Sequence, residues 1–238
     1  MENKKSLLKL SSVEVVPNLT VRIPTVGEIL EDEFHYYNIV SSLTAVPFQY
    51  MVQLDDMGID YTAITEYELF SMLFLGYIQS DLSILFGDLD MTDFKYRTQD
   101  NRMVIYSNKN NIVIDEYVYS KLANTIRKIN LFDKVNSKPG NEHMKKYLLE
   151  KERKKLKRNA KKPKEAYLEK LVIALVNTSD FPYDYETCMD ISIYKFNQSF
   201  KQIQHRITFD NTMLGIYSGT VDTSKMINKD ALSWISTK

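Results

Sequence analysis

The chain has few of the residues that most often carry enzyme chemistry. Its 238 residues include one cysteine, Cys188, which excludes an intramolecular disulfide framework and fits a reducing compartment. Seven glycines leave little room for a phosphate-binding loop, and the common glycine-rich nucleotide and nucleophile motifs are absent. The three histidines, His35, His143 and His205, stand on separate segments outside any zinc-ligand pattern. We therefore predict no catalytic, metal or cofactor site and a protein that is not an enzyme.

Long apolar runs are missing as well. The longest are Leu69–Tyr77, which Ser71 interrupts, and Leu171–Val176. Both are far shorter than the roughly 20 residues that a membrane-spanning helix needs. The first twelve residues carry charge but neither the apolar stretch nor the cleavage pattern of a secretory signal. We therefore expect a soluble intracellular protein without membrane contact.

The acidic segment Asp88–Asp93 superficially suggests a divalent metal site. It lacks the glycine and the terminal glutamate of a calcium loop, and no histidine lies at ligand spacing. We expect its carboxylates to serve ordinary turns and helix caps.

Positive charge is concentrated in one segment of a chain whose net charge is zero. Residues 138–164 contain twelve lysines and arginines and three glutamates, which is a net charge of +9. The remaining residues therefore carry −9. This separation of charge predicts a strong electrostatic contribution to any binding.

Apolar periodicity predicts a mainly α (α+β) fold, a helical domain with a small antiparallel β-hairpin or three-stranded insertion and a long basic helix. We divide the chain into an extended N-terminal arm over residues 1–24, a helical core over 25–135 and a C-terminal helical region over 136–238. The β-element is expected at about residues 93–115 and the basic helix at 141–160. One continuous domain is the alternative.

Local signals predict where several helices begin. Capping boxes at Thr25–Glu28 and Thr65–Glu68 each open a helix, and the first is expected to continue to Leu43. Asp115 is expected to start a further helix. Pro163 marks the expected start of the helix that follows the basic one.

The basic helix has apolar residues mainly in its first turns, so most of it is expected to be solvated. Three interpretations stay open: a solvated or self-docking helix, a contact with a partner protein, and nucleic-acid binding. No stacking motif and no helix-turn-helix, zinc-finger or RNP pattern accompanies it. If it binds a partner, the expected contact residues are Lys145, Lys146, Lys151, Arg153, Lys154, Lys155, Lys157 and Arg158.

Two apolar stretches are further candidates for interfaces. Leu69–Tyr77 is apolar all round, which predicts a central core helix or one shared with another subunit. The C-terminal region is the better candidate for a docking tail, because termini stay mobile until something binds them. Its expected partner-binding residues are Met213, Tyr217, Met226 and Trp234.

Seven short segments together resemble proteins encoded in the tail-morphogenesis region of phages and prophages of Gram-positive bacteria. Those proteins are similar to tail assembly chaperones. The resemblance depends on the number and order of the segments, since no single one is chemically diagnostic. The segments are Ile23–Glu28, Gln53–Ile59, Tyr67–Phe70, Leu85–Asp90, Ile112–Asp115, Leu171–Thr178 and Gly215–Asp222.

The resemblance implies a non-enzymatic chaperone in the cytoplasm of the bacterial host. Such a protein binds the tape measure protein, keeps it soluble and helps to recruit tail tube protein around it. A homo-oligomer is also implied, whereas no catalytic residue is supplied. The β-insertion and the basic helix go beyond the small helical bundle of the best-known members. A minor structural component of the phage tail therefore remains an alternative.

Overall fold

Helices make up most of this fold. The structure, a computed structural model, describes residues 5–99, 102–135, 137–162, 165–226 and 229–235. Helix accounts for 58% and strand for 11%, which confirms the predicted mainly α fold with a small antiparallel β-element. The α-helices of the described part are α1 (Val26–Glu31), α2 (Glu33–Leu43), α3 (Met51–Asp56), α4 (Glu66–Ile78), α5 (Ser83–Phe86), α6 (Glu116–Asn130), α7 (Glu142–Asn159), α8 (Leu168–Val176), α9 (Tyr185–Asp190) and α10 (Ile193–Tyr217).

The strands form two small antiparallel sheets. A two-stranded hairpin contains β1 (Ser12–Val16) and β2 (Leu19–Arg22). The second sheet has the order β3-β4-β5 and contains β3 (Lys95–Gln99), β4 (Arg102–Ser107) and β5 (Ile112–Ile114). This second sheet is the β-element that the alternation of apolar residues predicted, although part of its first turn lies outside the described residues.

The predicted helix starts are largely confirmed. Thr25 and Thr65 accept hydrogen bonds from the backbone N–H groups of Glu28 and Glu68, and both capping boxes are complete. Asp115 caps α6 in the same way through the N–H of Val118. The predicted basic helix is α7, whose first turn is capped by the Asn141 side chain.

Three helix predictions need correction. The helix expected to run from the first capping box to Leu43 is two helices, because Asp32 leaves the helical conformation and its side chain caps α2 through the N–H of His35. The helix expected at Pro163, which lies outside the described residues, begins only at Leu168. The short helix α9 was not predicted, and Asp184 forms a capping box with Thr187 at its start.

One continuous apolar core joins the N-terminal, central and C-terminal segments of the chain. Leu19 of β2, Phe74 of α4, Ile126 of α6 and Phe196 of α10 are all buried in it. Residues 12–22 therefore form a hairpin packed on this core, and α6 lies against both of its strands. A second, smaller cluster lies around Met51 and contains residues of α3 and α4.

Backbone contacts also tie the two ends of the chain together. Residues Thr25 and Ser192 form an isolated antiparallel bridge. Beside it, the Val26 N–H donates to the Ile191 carbonyl at 2.9 Å, and the Ile193 N–H donates to the Pro24 carbonyl at 2.8 Å. The start of α1 is thereby fixed against the residues that precede α10.

The acidic segment before β3 serves turns and caps, as expected. The Asp90 carboxylate accepts from the Thr92 N–H at 3.0 Å and from Lys109 Nζ at 2.9 Å. Asp93 accepts from the Ser107 hydroxyl at 2.6 Å. Hydrogen bonds from Thr92 and Lys109 lower the pKa of Asp90 to about 2. The carboxylates of Asp90 and Asp93 therefore both have structural roles.

The single cysteine lies in the core. Burial raises the pKa of the Cys188 thiol to about 11, so at neutral pH it is a protonated, unreactive side chain. No helix among the described residues is both long and apolar enough to cross a membrane.

Candidate protein interfaces

The basic helix α7 lies against α3 through one of its faces. Leu148 and Leu149 are partly buried against the smaller apolar cluster around Met51. Arg153 forms ion pairs of 2.6 Å with both Asp55 and Asp56. The chain's own acidic residues therefore neutralise part of its basic segment.

A third acidic residue holds the first turn of α7. Lys145 Nζ lies 2.7 Å from the Asp60 carboxylate and 5.9 Å from the ring centre of Tyr61. Hydrogen bonds from Lys145 and Thr62 lower the pKa of Asp60 to about 2. Lys145 is accordingly only 19% exposed, unlike most cations of this helix.

The opposite face of α7 points away from α3 and is strongly cationic. Of the eight basic residues predicted to bind a partner, Lys145 and Arg153 bind the chain's own carboxylates, and Lys155 pairs with Glu152 of the same helix. The other five are exposed, and none has a carboxylate within ion-pair distance among the residues that the structure describes. We call these five residues the outer cations: Lys146, Lys151, Lys154, Lys157 and Arg158.

The predicted C-terminal docking residues lie on α10 and on the segment that follows it. That segment folds back, and the Trp234 carbonyl accepts a hydrogen bond from Gln202 Nε2 at 2.7 Å. The side chains of Tyr217 and Trp234 remain 81% and 61% exposed, whereas Met213 and Met226 are half-buried. These residues lie on α10 and the segment after it, whereas the outer cations lie on α7, which packs against α3.

A third surface, which the sequence interpretation missed, is an open cleft between α4, the three-stranded sheet and the start of α6. Its volume is about 1570 Å³. Five large apolar side chains line it while remaining between 40% and 64% exposed: Met72, Leu75, Met103, Val113 and Tyr117. Apolar side chains gathered in this way are typical of a binding groove. We call this surface the cleft.

Hydrogen bonds between elements fix the walls of the cleft. The Tyr67 hydroxyl of α4 donates to the Ile114 carbonyl of β5 at 2.7 Å, and the Tyr96 hydroxyl of β3 donates to the Ser71 carbonyl of α4 at 2.7 Å. Burial raises the pKa of both tyrosines, so both hydroxyls stay protonated and donate at neutral pH. The cleft is therefore a preformed feature of the fold.

The charged groups that line the cleft are acidic. Glu68, Asp115 and Glu116 line it, and no lysine or arginine does so among the described residues. A cation contacts one of the lining residues, since Lys121 Nζ lies 4.5 Å from the ring centre of Tyr117. The buried Ser71 hydroxyl oxygen also lines the cleft and has no hydrogen-bond partner in the described part of the chain.

One sequence signal could have indicated the cleft. Leu69–Tyr77 is apolar all round, and a helix can bury only part of its circumference against one core. Leu69, Phe70, Phe74 and Tyr77 are buried, which agrees with the predicted core helix. Met72 and Leu75 are the surplus apolar residues, and they form one wall of the cleft.

Metal-ligating residues do not cluster in the part of the chain that the structure describes. No group of three or more histidine, cysteine, aspartate or glutamate side chains in the described residues could hold a metal ion. What the three surfaces offer is apolar area and charge of opposite sign, which suits protein contacts.

Comparison with known protein families gives a match in the C-terminal part of the chain. A family model described as the YomV second domain matches residues 160–237, which include α8, α9 and α10. This family is associated with Bacillus phages and prophages, and the match supports a phage-related protein. Comparison with curated proteins and with solved structures gives no significant match.

Proposed function

We propose that this phage-related protein is a non-enzymatic tail assembly chaperone whose cleft holds an amphipathic helix of the tape measure protein. The observation that supports this function best is the cleft itself, an open groove with five exposed apolar side chains. A long helical partner needs its apolar faces covered until assembly, and a groove of this kind can cover them.

The lining of the cleft suits a helical partner with a variable sequence. Helices that dock in grooves present apolar anchors at intervals of three, four and seven residues. Met72 and Met103 stand in opposite walls, and methionine side chains adapt to anchors of different shape. The same cleft could therefore take successive helical segments of one long partner.

The other two surfaces have supporting roles in this proposal. The outer cations would attract acidic segments of the partner that lie outside the cleft, and such long-range attraction acts on the association rate more than on the final affinity. Tyr217 and Trp234 would add aromatic contacts at the C-terminal end. Recruitment of tail tube protein and action in the host cytoplasm belong to the same proposal and are supported by the sequence resemblance.

Co-expression with the tape measure protein tests this function. We expect the wild-type chain to keep that protein in the soluble fraction. Leu75→Glu should lose this effect, because a carboxylate would replace one of the five exposed apolar side chains of the cleft. Ile173→Glu is the matched control, since Ile173 is an exposed apolar residue of another helix, α8. Equal solubility of the tape measure protein with and without this chain would falsify the proposal.

Nucleic-acid binding is the second candidate, and the five unpaired outer cations favour it. If all five neutralised phosphates, the logarithm of the binding constant would fall with the logarithm of salt concentration with a slope of about −4.5. Fluorescence anisotropy with duplex and single-stranded DNA measures this slope. Absence of binding at about 50 mM salt would rule this candidate out, because phosphate contacts are strongest at low salt.

A further inference from the structure

One end of the cleft, at the starts of α4 and α6, carries its carboxylates together with Val113 and Tyr117, and we call it the acidic end. Met72 and Leu75 lie further along α4, at what we call the apolar end. The Tyr67–Ile114 hydrogen bond places the start of α6 beside the first turn of α4. The carboxylates of Glu68, Asp115 and Glu116 therefore gather at that end. Leu75 lies seven positions further along α4, which is about 10.5 Å along the helix axis.

The outer face of α7 also has an apolar part and a charged part, but its charge is positive and the apolar part comes first along the chain. Met144 and Tyr147, near its start, are 45% and 56% exposed. Lys151, Lys154 and Arg158 follow at intervals of four, three and four residues, which places them on the same side of the helix. From Tyr147 to Lys154 is again seven positions, or about 10.5 Å.

We propose that the outer face of α7 in one copy of this chain docks in the cleft of a second copy, antiparallel to α4. In this orientation Met144 and Tyr147 meet the apolar end at Leu75, and the cations that follow meet the carboxylates at the start of α4 and α6. The reverse orientation would place these cations beside Leu75 and the apolar residues of α7 beside the carboxylates. Charge complementarity therefore selects both the occupant and its direction.

The fixed position of α7 also favours a second copy as the occupant. The other face of α7 is already held by Leu148, Leu149, Lys145 and Arg153, so the helix is presented in a fixed position and loses little freedom on docking.

The contact joins two different surfaces, so it is heterologous. Copies joined in this way build a ring or an open chain and do not stop at a symmetric pair. The inference rests on the proposed function only in that both require the cleft to be a docking site. It adds that α7 and a partner helix compete for the cleft, so that self-association protects its apolar lining when no partner is present.

Sedimentation equilibrium of the full-length chain tests self-association without any partner. We expect oligomers at protein concentrations up to about 100 µM, a range that reveals weak contacts, and partial dissociation when salt rises from about 50 mM to about 500 mM. The variant Lys151→Glu/Lys154→Glu should raise the apparent dissociation constant about tenfold or more, because like charges would then face each other. The control Lys9→Glu/Lys128→Glu makes the same change of net charge at exposed lysines of other elements and should associate as the wild type does.

A mixture of two defective variants distinguishes this contact from any symmetric one. Lys151→Glu/Lys154→Glu retains a normal cleft, and Leu75→Glu retains a normal α7. Each should be monomeric alone, and together they should form one-to-one heterodimers that grow no further. A monomeric wild type at low salt, or a mixture that stays monomeric, would overturn the inference.

The two proposals fail separately. Sedimentation uses the purified chain alone, so its result does not depend on the identity of the partner. If Leu75→Glu abolishes self-association but still keeps the tape measure protein soluble, the contact between copies stands and the proposed role of the cleft is wrong. If Leu75→Glu changes neither self-association nor the solubility of the tape measure protein, the cleft is not a docking site.

Discussion

Glu33 offers the sharpest test of how the two halves of this chain depend on each other. Its carboxylate belongs to α2 but accepts hydrogen bonds from the N–H groups of Tyr167 at 2.7 Å and Leu168 at 2.9 Å. Tyr167, the residue at the cap position of α8, supplies no side-chain cap of its own. A residue 134 positions earlier in the chain therefore caps this helix.

The cost of removing this carboxylate follows from its contacts. Loss of a helix cap costs about 0.5–2 kcal/mol where water can replace it. The buried N–H of Leu168, left without an acceptor, raises that cost by about 1–3 kcal/mol. The second carboxylate oxygen is buried without a hydrogen-bond partner in the described residues, so its desolvation cost disappears and offsets part of the loss. We expect Glu33→Ala to lower the free energy of unfolding by about 2–4 kcal/mol. Glu33→Gln keeps one acceptor oxygen and should lose about 1 kcal/mol.

Urea unfolding followed by the helical circular dichroism signal measures this difference. With a denaturant dependence of about 2–3 kcal/mol per molar urea, Glu33→Ala should unfold about 1 M earlier than the wild type. Glu31→Ala is the control, because Glu31 is an exposed acidic residue at the end of the neighbouring helix α1. If Glu33→Ala unfolds within about 0.5 kcal/mol of both the wild type and this control, the cap does not stabilise the fold as argued.

Three further outcomes are expected. Leu148→Ala should speed hydrogen exchange in α7 more than Arg153→Ala, because exposed ion pairs stabilise little; the reverse order would show that the ion pairs hold the helix. A Cβ atom at position 215 would lie 2.7 Å from Val221 Cγ2, so Gly215→Ala should displace the returning tail and speed its proteolysis, and adding Val221→Ala should restore the wild-type rate. The pKa of Asp60 is lowered to about 2 from the ordinary 3.8, so the contribution of its ionised carboxylate to folding stability is complete above about pH 4 and is lost as pH falls through 2. An NMR titration midpoint near 3.8 would contradict the Lys145 contact.

Local signals predicted those parts of the fold that local chemistry determines. The capping boxes at Thr25 and Thr65 and the cap at Asp115 need only neighbouring residues, and all three are present. The alternation of apolar residues in β3, β4 and β5 was equally sufficient to predict the antiparallel sheet, since strands joined by short turns pair with each other. The break at Asp32 was missed because the apolar spacing continues across it while the side chain forms a new cap.

The sites were harder to predict because they depend on which residues meet. The run of cations in α7 gave no indication that Asp55, Asp56 and Asp60 would pair with one of its faces. Only the folded arrangement separates Lys145 and Arg153 from the outer cations. The cleft is a stronger example, because its walls come from α4, a sheet and α6, and the surplus apolar residues of α4 do not reveal which elements complete it.

The segment that matches the phage-associated family shows the same dependence on distant residues. Residues 160–237 contain α8, α9 and α10, yet these helices bury their apolar faces in the core that Leu19, Phe74 and Ile126 also occupy. Glu33 caps α8, and the bridge between Thr25 and Ser192 fixes the start of α10. Both supports come from the first 35 residues of the chain. The family segment therefore takes its position from the N-terminal part.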